Sequence, residues 1–192
     1  MNCNIEKEYK ILVTKEQFIR ILQDYPQAEF KKQVNTYYDT DDLAIRHAHG
    51  AMRIRTIDHH FLFTLKLHTK AGVEEYEKYV ETNDPIVFKD QEIAALLKAI
   101  PVLSELKRIT ELTTYRAMIF TGDAELCFDV NRYGSCEDYE IEYEYKRPHD
   151  GRNVFNKILA KVNLTYTKNC HSKIRRAFDA HFTLCSDKDG IQ

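Results

Sequence analysis

The segment Tyr139-Glu140-Ile141-Glu142-Tyr143-Glu144-Tyr145 constrains the fold more than any other stretch of the chain. Residues two apart in a strand share a face, so three carboxylates fall on one side and four apolar or aromatic side chains on the other. Neighbouring like charges repel, and such a face is stable only against a cation or facing Lys and Arg. The one-sidedness recurs. Arg53 and Arg55 share a face while Met52 and Ile54 point away, and in 4–13 Glu6, Glu8 and Lys10 fall together. Phe61, Phe63, Leu65 and Leu67 stand opposite Leu62, Thr64 and Lys66, and Leu126, Phe128 and Val130 oppose Cys127 and Asp129. A sheet with one buried and one wet face accounts for any single strand. A wet face usually mixes signs, however, and here one strand carries only carboxylates and another only arginines. Segregation by strand points to a site for both cations and anions.

Alternating stretches rich in Ile, Val, Tyr, Phe and Thr cover 4–13, 33–39, 50–57, 61–68, 73–81, 108–121, 124–132 and 138–147. Short polar turns between most of them predict antiparallel pairing. Helices fill the gaps. Thr14 with Gln17 forms a capping box for a helix to Asp24, a second runs from Asp90 to Ile100 before Pro101, a third from Gly151 to Val162, and a fourth from Ser172 to Leu184. The fold class is α+β: eight antiparallel strands closing into a β-barrel with helices packed outside, apolar faces outward under the helices and charged faces inward. One domain over 1–185 with a polar tail at 186–192 follows from a length of 192 residues and the absence of a linker. Carboxylates in the lumen suit Mg²⁺ or Mn²⁺, and arginine and lysine suit phosphate oxygens. Phosphoryl chemistry requires both.

Glu6-Lys7-Glu8-Tyr9-Lys10 resembles the ExExK signature of the CYTH, or triphosphate tunnel metalloenzyme, superfamily, and most of all its Gram-positive bacterial members. The segments Gln33 to Thr40, Arg53-x-Arg55, Phe63 to Lys66, Glu75-Tyr76-Glu77, Thr113 to Arg116, Asp129, Glu140-x-Glu142 and Ser172-Lys173 follow in that family's order. The resemblance implies a tunnel that binds a linear triphosphate. Glu6, Glu8, Glu140 and Glu142 would bind metal, with Asp129 as a further ligand or as orienter of a metal-bound water. Lys10, Arg53, Arg55, Lys66, Arg116 and Lys173 would grip the phosphates, and Lys66, Arg116 and Asp129 would take part in catalysis. Glu144 extends the acidic run, and Arg132 and Arg175 could touch the rim. Many family members carry a lysine two residues before the arginine matching Arg116. Here that residue is Thr114, which leaves the water-activating base open between Lys66 and the metal alone.

The function this implies is a metal-dependent phosphohydrolase acting on inorganic triphosphate, a nucleoside triphosphate or thiamine triphosphate. Adenylate cyclase and a non-catalytic triphosphate sensor are the alternatives. A net charge of −2 argues against nucleic-acid binding by bulk charge, and no P-loop or G-x-S-x-G motif is present. His47 with His49 and His59-His60 are two close histidine pairs, of which His59-His60 reads as a hairpin turn with exposed imidazoles, and neither is read as a metal site. Five scattered cysteines, Cys3, Cys127, Cys136, Cys170 and Cys185, predict a reducing compartment. No apolar run approaches membrane-spanning length, so a soluble cytoplasmic protein is expected. Oligomeric state is not encoded in these features.

Overall fold

A computed structural model describes residues 1–70, 72–100, 102 and 104–186, with the side chains of 3–6 and 181–186 outside the description. In chain order the strands and helices are β1 (Asn2–Glu6), β2 (Glu8–Val13), α1 (Lys15–Leu22), β3 (Lys31–Asp39), α2 (Ala44–His47), β4 (Gly50–Ile57), β5 (His60–Thr69), β6 (Gly72–Val80), α3 (Gln91–Leu97), β7 (Lys107–Phe120), β8 (Ala124–Tyr133), β9 (Cys136–Tyr145), α4 (Gly151–Leu159) and α5 (Lys173–Ser186). Short 3₁₀ turns occupy Pro85–Lys89 and Ala160–Val162. The α+β class and the antiparallel pairing expected from the sequence are what the described residues show. The expected tail lies outside them from residue 187 onward.

The eight expected strands are nine among the described residues, because the stretch read as one strand over 4–13 is two. β1 pairs with β6, placing Glu6 opposite Val73, whereas β2 pairs with β9, placing Lys10 opposite Glu142. The chain changes partner at Lys7, whose carbonyl accepts from the Tyr145 amide at 2.9 Å. Alternation through a strand cannot reveal such a break, since both halves keep extended geometry.

The chain divides into two compact units. The first comprises 1–6 and 33–112, where β1, β6, β5, β4 and β3 pair in that order. Its apolar face buries Met52, Ile54, Phe63 and Leu65 against Phe88, Ile93 and Leu97 from the Pro85–Lys89 turn and α3. Asp90 caps α3 by accepting from the Glu92 and Ile93 amides. The turn into α2 is set by buried Asp39, whose carboxylate accepts from the amides of Thr40 (2.8 Å), Ile45 (2.9 Å) and Arg46 (3.0 Å). Asp58 and His59 form the two-residue connection between β4 and β5, with exposed imidazoles at His59 and His60 and Asp58 in the left-handed region at φ 53°.

The second unit comprises 7–32 and 113–192, where residues 113–120 of β7 pair with β8, then β9, then β2. α1 and α4 cover the apolar face, burying Phe18, Ile21, Phe155 and Leu159 over Leu126, Phe128, Ile141 and Tyr143. Each such side chain contributes roughly 1.5–3 kcal/mol on burial. The capping box at Thr14 and Gln17 is present. With the apolar positions under helices, strand alternation turns Asp129, Glu140 and Glu142 to the opposite face.

Candidate functional site

In the second unit the strand register lines up charge. Arg116 on β7 lies opposite Asp129 on β8, Asp129 opposite Glu140 on β9, and Glu142 opposite Lys10 on β2. Asp129 and Glu140 are fully buried like charges on adjacent strands, an arrangement that needs compensation. Arg116 provides part of it. Its Nε and Nη2 donate to Asp129 Oδ1 and Oδ2 at 2.7 and 2.6 Å, and Nη2 also donates to Glu142 Oε2. Lys173, the first residue of α5, provides a further part. Its Nζ lies 2.5 Å from Glu142 Oε1, 2.9 Å from Asp129 Oδ2 and 3.1 Å from Glu140 Oε1. Arg176, one turn further, donates from Nε to Asp138 Oδ2 at 2.8 Å and from Nη2 to Glu140 Oε2.

These contacts set the protonation states. Burial raises the Glu142 carboxyl, but Arg116, Lys173 and Lys10 outweigh it and hold the group well below the ordinary range. Glu140 goes the other way. Burial pushes it up to about 7, against Lys173 and Arg176 and with the help of Glu142. Two carboxylates with opposite shifts on one face mark an environment where one stays ionised and the other exchanges a proton near neutrality. Arg116 and Lys173 are pulled down by burial and pulled up further by their carboxylates, so both stay charged.

Glu8 and Lys10 pair with each other on β2. The strand is clamped from the side by Asn169. Its Oδ1 accepts from the Lys10 amide at 2.8 Å and its Nδ2 donates to the Glu8 carbonyl at 3.2 Å. Thr114, in place of the family's lysine, is buried and donates to Asn131 Oδ1 at 2.7 Å, and Asn131 donates to Asp138 at 2.9 Å. That position therefore belongs to a hydrogen-bonded network and supplies no base.

The first unit carries its own polar face. Arg53 and Arg55 on β4, Thr64 and Lys66 on β5, and Glu75 and Glu77 on β6 share it. Lys66 Nζ lies 3.2 Å from Glu75 Oε1 and Arg55 Nε donates to Asn35 Oδ1 at 3.0 Å. Arg53 is half-buried, yet its Nε is a buried atom with no hydrogen-bond partner and its guanidinium is 4.0 Å from Glu75. A buried N–H without an acceptor costs about 1–3 kcal/mol, which an anion would relieve.

The expected site residues with described side chains fall into two groups. Arg53, Arg55 and Lys66 are together in the first unit, and Glu8, Lys10, Arg116, Asp129, Glu140, Glu142 and Lys173 are together in the second. Glu6 lies at the end of β1, and its side chain is outside the description. Arg175 is exposed and 3.8 Å from Asp179, and Arg132 is exposed beside Glu137. Sequence reading assigns no site role to Asp138 or Asn169, nor to Glu75, which it places only in the family's order of segments, nor to Arg176, which reads as part of the charged face of its helix. For Arg176 a signal existed, since residues three apart on a helix share a face and Lys173 with Arg176 have that spacing.

As donors, Asp129, Glu140 and Glu142 fit a hard divalent cation by their chemistry, and Glu140 Oε1 is a buried oxygen without a hydrogen bond. Among the described residues no three His, Cys, Asp or Glu side chains converge ready to hold a metal. One oxygen of each of these three converges on the Lys173 ammonium instead.

The CYTH domain family model matches residues 4–178, almost the whole chain. The chain belongs to the CYTH domain family. A Bacillus subtilis (strain 168) relative named "Putative triphosphatase YjbK" is 32% identical over 194 residues, covering 93% of this chain and 97% of that protein. Among solved structures, a "putative adenylate cyclase" from Bacillus halodurans matches with a TM-score of 0.82 at 34% identity, covering 93% of this chain and all of that one. The "Putative adenylyl cyclase HpAC1" from Hippeastrum, described as having a dominant triphosphatase activity, matches with a TM-score of 0.77 at 21% identity over 91% of this chain and 96% of that chain. The last of these supports the fold alone. None of the helices among the described residues is long and apolar enough to cross a membrane.

Proposed function

We propose that this CYTH chain is a metal-dependent phosphohydrolase that removes the terminal phosphate of a linear triphosphate. The observation that carries the proposal is the buried array of Asp129, Glu140 and Glu142 gathered around cationic groups. The triphosphatase name of the B. subtilis relative supports the same activity. Family membership over 4–178 supports a single catalytic domain. Mg²⁺ or Mn²⁺ would be held by Asp129, Glu140, Glu142 and Glu8, with Glu6 completing the set. When bound, the ion neutralises phosphate charge and lowers the pKa of a ligated water.

The chain's own residues do the rest. Arg53, with its unpartnered Nε, Arg55 and Lys66 take phosphate oxygens, as do Lys10, Arg116 and Lys173. Arg116 is anchored at both ends of Asp129, so its remaining donors are fixed before substrate arrives. Such fixed donors stabilise the charge spread over the transferring phosphoryl group without reorganising at the moment of reaction. Thr114 is committed to Asn131, which leaves Lys66 as the side-chain candidate to help activate water. Inorganic triphosphate, nucleoside triphosphates and thiamine triphosphate all present the required chain of phosphates. The absence of a disulfide-like cysteine pattern supports a cytoplasmic setting.

The adenylate cyclase name carried by the B. halodurans structure favours one second reading. Chromatography of the products from ATP decides between them. ADP and phosphate support the hydrolase, whereas cyclic AMP and pyrophosphate overturn it. Turnover of inorganic triphosphate and thiamine triphosphate under the same conditions ranks the substrates.

A further inference from the structure

The Lys173 ammonium lies within 3.1 Å of oxygens from three carboxylates on two adjacent strands. Only one of the three contacts, that to Glu142 Oε1, is a formed hydrogen bond. Asp129 Oδ2 is also taken by Arg116, and Glu140 Oε1 has no hydrogen bond. The carboxylates are therefore disposed around a point, and the ammonium at that point satisfies them incompletely. The lysine reaches in from the first residue of α5, and the segment before that helix, 163–172, is irregular. Arg176 holds the helix to Asp138 and Glu140 independently of Lys173.

We propose that Lys173 is an internal stand-in for the divalent cation: it holds the carboxylate array together in the metal-free protein and must leave before those oxygens can ligate a metal. The proposal rests on the hydrolase reading for the identity of the metal site. Two things follow. Metal affinity is set partly by competition with Lys173, because two cations cannot share one ring of three oxygens at close range. The displaced ammonium becomes available to phosphate only once metal has entered, so one side chain links loading of the ion to capture of the anion.

The test is Mn²⁺ binding to the full chain without substrate, followed by electron paramagnetic resonance of the free ion. Wild type is compared with Lys173→Met, Lys173→Arg and Arg176→Met. Lys173→Met is expected to bind Mn²⁺ about tenfold more tightly, equivalent to 1.4 kcal/mol. Lys173→Arg, which keeps the charge, should bind no more tightly than wild type. Arg176→Met should gain clearly less than Lys173→Met. Unchanged or weaker binding by Lys173→Met overturns the proposal, as does an equal gain in Arg176→Met, which would reduce the effect to general charge. A wild type that hydrolyses triphosphate while Lys173→Met shows no gain overturns the stand-in role and leaves the hydrolase standing. Should Lys173→Met not fold, the ¹⁵N resonance of Lys173 Nζ in wild type decides. It must move on adding Mg²⁺, and a resonance that stays in place overturns the proposal.

Discussion

Replacing Arg116 with Met removes the cation most committed to the carboxylate array. Asp129 is fully buried and loses a two-point contact at 2.6 and 2.7 Å, and Glu142 loses one of its partners. Removing one member of a buried ion pair costs about 3–5 kcal/mol, because the other charge stays buried. Lys173 remains beside both carboxylates, which places the expected loss near the lower end, at about 3 kcal/mol. The pH dependence has a definite sign. In wild type the folded-state pKa of Glu142 is depressed, so its stabilisation is present above the unfolded value and lost as pH falls through the folded one. Without Arg116 the depression at Glu142 weakens, and that carboxyl binds a proton more readily in the folded state than before. The deficit of Arg116→Met should therefore shrink, by about 1 kcal/mol or more, between about pH 7.5 and pH 5. Urea unfolding of both proteins with chelator present, at each pH, measures it. A loss below about 1 kcal/mol at the higher pH, or one that does not narrow in acid, would refute the reasoning.

Three other outcomes are expected. Glu140 has a folded pKa raised to about 7 from an ordinary 4.5, so its contribution is present below the unfolded value and lost as pH rises through 7. Glu140→Gln should flatten that fall and be the more stable protein at about pH 8, read by urea unfolding in chelator. Asn169→Ala removes both side-chain bonds to the β2 backbone and should cost about 1–2 kcal/mol. Amide hydrogen exchange at Lys10 should speed up, and an unchanged rate there would mean that the clamp does not hold the strand. Arg176→Ala leaves buried Glu140 and Asp138 short of a donor and should lower the thermal midpoint by several degrees, whereas Arg175→Ala, at an exposed site, should leave it within about one degree.

Much of this was legible in the chain. Gly50–Ile57 was bounded correctly by alternation, and the seven-residue run from Tyr139 identified the carboxylate face, because period-two patterning reports directly which side is buried. Three features escaped it. The break at Lys7 is a change of partner between strands distant in sequence, which leaves no local mark. α2 is only four residues long and is held by the Asp39 carboxylate rather than by propensity. The role of Asn169 depends on a contact 159 residues away in the chain. Arg176 was recoverable from helix spacing with Lys173, whereas the convergence of three carboxylates on that lysine needed coordinates.

Phosphate release from inorganic triphosphate tests the central claim most directly, with wild type, Glu142→Gln and Arg53→Ala each compared in chelator and in Mg²⁺ or Mn²⁺. The account predicts release by wild type only when metal is present. Glu142→Gln should lose at least about 100-fold in kcat/KM, and Arg53→Ala should lose about tenfold or more. Metal-independent release, or full activity in Glu142→Gln, would contradict it.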